Sequence, residues 1–507
     1  MKRSQFLADH PAILVGVFVL CITAALAPGY VDNVDSRVSL HTARALLDRG
    51  TFALEQKDGF RVREGWVAHG VDGRLFGKFG PGHAAWFIPF VLAGRVIGPL
   101  LGLHRADAEE FAVSLSSTLA LAVAAGFMFR LLTERLLFGR GAALSGIVAW
   151  VFGTFQLSYS GSSYLETPLA AAIVLSAWFA SRAGERGRGS DAVMAGLFAA
   201  FAVAIKLVAM VFLPVLFLAW PRGSRRRFRV GILAVVPVVV VAVLLALANQ
   251  IRFGHPLRSG YANFGDLFLT PLLTGLRGYA ASPDISLPLY APGLVLAVLG
   301  FREVLRRYPG LGLVAFWVFL SCTVVHGMHT GYHGGTAYGP RYLVPAIVLI
   351  VAPGVAGLVA TLSGWPRRLL AVAVGACVLA QVPSVLVAPN EYHTIRGYVR
   401  EKLGCAESLP PRPITDLCLL WLKATEDPAC YDLRRLIGKD REGTSEPIVY
   451  LVPRVERGFA VWWLLAAREG RSLAPVFAVA LLSIGVASIL LLLRPPPVTP
   501  ATPLCSR

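Results

Sequence analysis

The chain has 507 residues, and 48 Lys and Arg against 30 Asp and Glu leave a formal charge of +18. Only 15% of its residues are charged, 55% are hydrophobic, and the mean hydropathy is +0.62. That excludes a disordered chain and a soluble enzyme, because so few charges cannot cover a water-facing surface. A bilayer removes the difficulty, since a spanning helix needs ~20 mostly apolar residues and the chain has many such stretches.

The basic excess is not a nucleic-acid footprint. It sits in short clusters between apolar segments: Arg182, Arg186 and Arg188; Arg222 with Arg225, Arg226, Arg227 and Arg229; Arg302, Arg306 and Arg307; Arg367 and Arg368. Short Lys/Arg-rich loops mark the cytoplasmic side of membrane proteins. The seven cysteines form no framework. Cys21, Cys322 and Cys377 fall in apolar segments and Cys505 in the tail. Only Cys405, Cys418 and Cys430 share one polar region, where an oxidising outer compartment would permit a disulfide.

At the amino terminus, Lys2, Arg3 and the apolar run from Pro11 to Ala27 also describe a cleavable signal. The run reads as an uncleaved anchor, because a polytopic protein needs no removable one. Further apolar segments fall near 84–103, 111–133, 142–159, 166–181, 193–219, 230–249, 288–301, 310–328, 341–361, 369–388 and 473–493. Two threadings fit them. In the first, 84–103 and 193–219 each cross once, which leaves Arg130, Arg135, Arg140, Arg182, Arg186 and Arg188 outside. In the second, 84–103 dips into the outer leaflet and 193–219 is a re-entrant pair of short helices, so those six lie inside. Charge placement favours the second. Outer regions then follow at 29–83, 250–287, 328–340 and 389–472.

The first outer loop opens with Asp32, Asn33, Asp35 and Arg37. Val38, Thr42, Ala45 and Leu46 then mark one face of an amphipathic interfacial helix ending at Gly50. Asp35 at its amino end reads as an N-cap or as an ionised, positioned general base. Lys78, among Gly77, Gly80 and Gly82, reads as a phosphate contact or an interfacial anchor. The 250–287 loop carries His255, Gly260 and Tyr261 among glycines and prolines, which suits an irregular cover over a cavity. Arg341, behind Tyr338, Gly339 and Pro340 at the mouth of a helix, is placed to meet an anion or to snorkel. His326, His329 and His333 fit a helical spacing that could bind a metal, but no carboxylate lies near them in sequence. Glu166 and Lys206 interrupt apolar stretches, and such charges need a partner or a polar cavity. In the second threading both approach the outer half of the membrane, beside Asp35 and Arg341.

This pattern resembles the GT-C class of polytopic membrane glycosyltransferases, related to protein mannosyltransferase and aminoarabinose transferase families. The resemblance spans roughly residues 10–390. It rests on Asp32 to Arg37 with Ala43 to Thr51, on Lys78-Phe79-Gly80-Pro81-Gly82, on Phe253-Gly254-His255-Pro256 with Gly260-Tyr261, and on Gly334-Gly335 with Gly339-Pro340-Arg341-Tyr342. It implies an all-α bundle of about 11–13 transmembrane or re-entrant helices. The expected organisation is a catalytic membrane module at 1–388, an extracytoplasmic polar segment at 389–472, and a last helix with cytoplasmic tail at 473–507. The implied reaction moves a sugar, with inversion, from a polyprenyl-phosphate carrier to a glycan, lipid or protein acceptor on the outer face of a bacterial inner membrane. A first-loop carboxylate would deprotonate the acceptor. Many relatives carry an adjacent Asp-Glu pair, whereas here Asp32 and Asp35 stand apart, with Asp35 preferred. Arg37, Lys78, Lys206 and Arg341 would hold the donor phosphate. Glu166, His255, Tyr261, Tyr332, His333 and Tyr338 would line the substrate cavity. Some members use a divalent cation, Mg or Mn; these residues form no evident metal site. The competing reading is a transporter or flippase for a lipid-linked sugar, which needs a similar polar cavity. Nucleic acid is not an expected partner; membrane lipids are.

Overall fold

The computed structural model describes residues 10–31, 33–55, 66–100, 102–219, 226–261, 265–335, 337–387, 411–424, 461–468, 470–471 and 473–493. Asp32, Cys405 and Cys430 lie outside the described residues, as does the side chain of Cys418. The elements in chain order begin with α1 Pro11–Ala25, α2 Val34–Arg49, α3 Pro81–Leu100, α4 Arg105–Ser114, α5 Ser116–Arg130 with a π-turn Leu131–Arg135, and α6 Arg140–Val151. They continue with α7 Glu166–Arg186, α8 Gly189–Ile205, a 3-10 leg Leu207–Ala219, α9 Arg226–Phe253, α10 Leu272–Ala281, α11 Pro292–Arg307 and α12 Pro309–Met328. The last are α13 Val344–Thr361, α14 Gly364–Gln381, α15 Arg412–Ala424, α16 Trp462–Arg468 and α17 Leu473–Leu493. Among the described residues, seven helices are long and apolar enough to cross a membrane. The protein is an all-α, multi-pass membrane protein, with one small sheet in its first loop. There β1 Ala53–Leu54, β2 Val67–His69 and β3 Leu75–Gly77 pair antiparallel in the order β1-β3-β2, with Phe76 opposite both Ala53 and Ala68.

The helix ends sort into two groups, and the second threading accounts for them. Helix α1 runs antiparallel to α5, with Gly16 against the Ala122 carbonyl and Gly126 against that of Ala12. Such small-residue contacts let helices approach closely where lipid supplies no hydrophobic drive. Helix α5 starts beside the α7 amino end, where the Ser117 hydroxyl donates to the Tyr164 carbonyl at 3.4 Å, and finishes at Arg130. Segment 193–219 is a hairpin. It breaks at Lys206, whose backbone is extended, and the 3-10 leg comes back to lay Leu218 against Gly184, near the finish of α7. This is the re-entrant pair expected, and each leg is about 25 Å long.

Helix α3 does not link the two ends. It reverses into α4, where Gly94 and Gly98 press on Ala108, and the chain returns to the end where it began. A charge network fastens this pair to α2. Glu109 accepts from Arg44, Arg95 and Arg105 at 2.5, 2.7 and 3.0 Å, and Asp48 accepts from Arg95 and Arg105 at 2.8 and 3.0 Å. Helix α2 itself follows its sequence pattern: Val38, Thr42 and Ala45 are buried, and Gly50 closes it in the left-handed conformation. The cap, however, is Asn33, whose side chain accepts the Ser36 N–H at 2.9 Å. Asp35 is two residues further on, in the first turn, so its carboxylate is not spent on capping.

Candidate active site

Asp35, Glu166, Lys206 and Arg341 meet at one end of the bundle, brought there by four different elements. Arg341 is the centre. Its Nη1 lies 3.2 Å from Asp35 Oδ2 and its Nε 3.6 Å from Glu166 Oε1. Lys206 Nζ approaches the same Glu166 oxygen at 3.8 Å. The Glu166 side chain is only 2% exposed, and its Oε2 has no hydrogen-bond partner among the described residues. A carboxylate so deeply buried persists only beside cations, and it has two.

Aromatic rings wall this cluster. The Arg341 guanidinium sits 4.7 Å from the Tyr164 ring and 4.9 Å from that of Tyr342. Lys206 Nζ lies 4.1 Å from the same Tyr342 ring, and His326 stacks on it at 4.9 Å. Cation–π contacts of this kind hold the charges without neutralising them. Gly339 lets the loop return to Arg341: its φ is +63°, and a Cβ there would come within 2.7 Å of the Tyr290 ring. Helix α6 stops at Val151, short of the expected 159, and residues 152–165 run irregularly across the site. The Ser36 hydroxyl donates to the Ser163 carbonyl at 2.6 Å, and the Tyr159 hydroxyl to the Tyr338 carbonyl at 2.8 Å. That segment therefore ties the loop of Asp35 to the loop of Arg341.

Lys78 follows β3 and lies within electrostatic reach of Asp35 and Arg341, with its Nζ 5.6 Å from the Tyr261 ring. Burial pulls its ammonium below the ordinary lysine range, and the nearby Asp35 carboxylate pulls it part of the way back. Burial likewise pushes the Tyr261 phenol up, so it stays neutral. The backbone around Lys78 is clamped. Arg252, almost fully buried, donates from Nη1 to the carbonyls of Gly77 at 3.3 Å and Phe79 at 3.2 Å, and from Nη2 to Asn249 at 2.8 Å. A Cβ on Gly260 would overlap the Lys78 backbone, so that glycine is the close approach the 250–287 loop requires.

Two expected outcomes follow from this arrangement. Arg252→Lys retains the charge but loses the fork whose Nη1 holds the two carbonyls while Nη2 holds Asn249, and charge-assisted bonds of this type are each worth ~1.5–3 kcal/mol. Thermal unfolding should report a loss of that order, with weaker anion binding at Lys78. Secondly, an ammonium with a lowered pKa loses its proton earlier as pH rises. Affinity for a phosphate-bearing ligand should fall at a lower pH than an ordinary lysine, near ~10.4, would allow. Lys78→Arg, charged throughout, should shift that decline to higher pH in a titration of binding.

Other expected residues stand elsewhere. Arg37 turns away from Asp35 around α2 and pairs with Glu110 of α4 at 3.5 Å, which takes it out of the phosphate set in this structure. His255 is exposed and accepts the Leu257 N–H at 3.2 Å. Tyr338 packs on Tyr290 at 4.9 Å, with the Arg412 guanidinium 5.1 Å from its ring, and supports the loop from behind. Tyr332 is half-buried against Tyr279 at 6.2 Å and His333 is exposed. The three-histidine spacing fails because α12 ends at Met328: His326 is buried under Tyr342 and His333 faces outward. Among the described residues no group of three His, Cys, Asp or Glu could hold a metal ion. Sequence reasoning missed Tyr164, Tyr342, Arg252 and the 152–165 segment. Tyr342 follows Arg341 directly and was the one with a visible signal.

A family model for dolichyl-phosphate-mannose-protein mannosyltransferase matches residues 101–250, under a third of the chain. Among solved structures, the chain is similar to ArnT from Cupriavidus metallidurans bound to undecaprenyl phosphate. That likeness has a TM-score of 0.48 at 14% identity and covers 95% of this chain and 76% of that one. The apo form of the same protein gives 0.44 at 15%, covering 95% and 75%. The archaeal oligosaccharyltransferase AglB from Archaeoglobus fulgidus, in complex with an inhibitory peptide and a dolichol-phosphate, gives 0.44 at 10%, with 80% of this chain and 60% of that one. No curated protein sequence matches. The family model bears out the resemblance to GT-C membrane glycosyltransferases read from the sequence over residues 101–250, where the chain is similar to the dolichyl-phosphate-mannose-protein mannosyltransferase family.

Proposed function

We propose that the protein is a membrane glycosyltransferase that moves a sugar from a polyprenyl-phosphate carrier to an envelope acceptor, with inversion, at the Asp35 end of the bundle. The observation that carries this reading is the meeting of one partly exposed carboxylate, Asp35, with Arg341, Lys206 and Lys78 in a single cluster. Breaking a glycosidic bond to a phosphate builds charge on the leaving oxygens, and preorganised cations stabilise it most where water is scarce. Arg341, Lys78 and Lys206 take that role. Glu166 holds Arg341 and Lys206 in place. Asp35 accepts the proton of the attacking group, and an arriving phosphate competes for Arg341, which releases the carboxylate for that task.

The opposite end supports the outward orientation of this site. Arg130, Arg135 and Arg182 gather around Trp178, and Arg307 reaches the Leu136 and Leu137 carbonyls. An arginine-rich end of this kind belongs in the cytoplasm, which leaves Asp35 on the exterior of a bacterial inner membrane. The described residues do not fit a divalent cation, because the Arg341 guanidinium already stands between the two carboxylates an ion would need.

The test is a panel of radiolabelled polyprenyl-phosphate sugars offered to the purified protein. Release of sugar from one donor, in transfer or in hydrolysis, is the expected result. Binding of a donor without turnover across the panel would overturn the transferase, and movement of that donor across liposomes would establish the transporter instead.

A further inference from the structure

At the end of the bundle away from Asp35, three guanidiniums converge on one indole. The Cζ atoms of Arg130, Arg135 and Arg182 lie 4.6, 5.2 and 5.9 Å from the ring centroid of Trp178, a fully buried residue of α7. The backbone is shaped for this. In an α-helix, residues five apart point ~140° away from each other, whereas an i→i+5 turn returns them to one face. The π-turn Leu131–Arg135 does this for Arg130 and Arg135. The next connection is held in an unusual conformation, with Leu137 at φ +54°. Arg307 pins it by donating to the carbonyls of Leu136 at 2.9 Å and Leu137 at 2.8 Å. Leu137 offers its side chain outward, 73% exposed.

Each guanidinium meets one carboxylate. Arg130 donates to Glu134 at 2.7 Å, Arg135 pairs with Glu185, and Arg182 approaches Asp191 at 3.5 Å. These pairs do not use up the donors. Nε and Nη2 of Arg135, Nε of Arg182 and Nε1 of Trp178 are all buried and have no acceptor among the described residues. The Arg135 side chain is only 9% exposed. Buried N–H groups without acceptors are costly. A compact anion with several oxygens would supply acceptors, and arginine forks match phosphate in particular.

We propose that this cluster is a binding site for the phosphate of an anionic phospholipid headgroup, separate from the transfer site. The lipid source is favoured over free phosphate by position: the cluster closes a membrane bundle at its basic end, and the exposed Leu137 beside it suits the acyl boundary. Helix α7, which carries Trp178 and Arg182, begins at Glu166, so lipid held here fixes the far end of an element of the transfer site.

Native mass spectrometry and thermal unfolding of the full chain in detergent test the idea, with phosphatidylglycerol, phosphatidylethanolamine or inorganic phosphate added. Phosphatidylglycerol should be retained and should raise the unfolding temperature, and phosphatidylethanolamine should do neither. Arg135→Gln with Arg182→Gln should cut retention about tenfold or more. Glu185→Gln changes an exposed carboxylate that competes for Arg135, so this variant should fold and hold the lipid several-fold more tightly. Equal retention of the two lipids, or no change in Glu185→Gln, would overturn the site. Inorganic phosphate alone giving the full thermal shift would overturn the lipid assignment.

Discussion

Asp35→Asn should fold, bind donor and fail to transfer. The substitution keeps the size of the side chain and removes only its ability to accept a proton. General catalysis of this kind is worth about 10²–10⁴-fold in rate. Because Asn33 caps α2, loss of the Asp35 charge leaves the helix start intact, and because Glu166 still holds Arg341, the cationic wall stays in place. Single-turnover transfer measured beside donor binding separates the two effects. Turnover at the wild-type rate would remove Asp35 as the base and pass the role to Asp32, to be tested by Asp32→Asn. The same variant discriminates the competing reading, since a transporter needs no proton acceptor at this position and would move its cargo unimpaired.

Arg341→Gln should cost both stability and donor affinity. Without the guanidinium, Glu166 keeps only the more distant Lys206, and one of its oxygens already lacks a partner. Removing one member of a buried ion pair typically costs ~3–5 kcal/mol, because the remaining charge is left in a poor solvent. The prediction has a built-in control. In the double variant Arg341→Gln, Glu166→Gln the stranded charge is gone, so unfolding should return most of the way to wild type. Donor binding should not recover, because the contact to phosphate is still missing. Additive losses in that cycle would show that the two side chains are not coupled.

The bundle was legible in the sequence because lipid imposes a strong rule on composition. Spans of ~20 apolar residues and clusters of arginine needed no further context, and the choice between two threadings came from charge alone. The interfacial helix was equally readable, from Val38, Thr42 and Ala45 to Gly50. Glu166, Lys206, Asp35 and Arg341 could be grouped because a charge in an apolar stretch demands a partner. What stayed hidden depended on contacts across long sequence distances. Nothing local shows that Arg252 grips the carbonyls on either side of Lys78, or that Arg37 faces Glu110 instead of a ligand. The end of α6 was misplaced for a related reason. Residues 152–159 look apolar enough to continue a helix, but their polar groups are claimed from elsewhere: the Phe155 N–H donates to the Tyr290 carbonyl, Gln156 Nε2 to the Thr167 hydroxyl and the Tyr159 hydroxyl to the Tyr338 carbonyl. The histidine spacing failed because periodicity carries no information about where a helix stops.

The hook formed by α16 also sets a clock on assembly. The indole N–H of Trp462 donates to the Ala24 carbonyl and that of Trp463 to the Ala25 carbonyl, each at 2.9 Å, while the Trp462 backbone N–H reaches the Ala27 carbonyl at 3.0 Å. Ala24 and Ala25 finish the first helix and Ala27 follows it; the two indole donors lie 438 residues further along the chain than the carbonyls they reach. At a synthesis rate of ~5–20 residues per second, about 20–90 s pass between the two leaving the ribosome. During that interval the end of the first helix has none of these three donors. A ribosome that stalls between the two would leave the intervening helices made but the end of α1 without these partners.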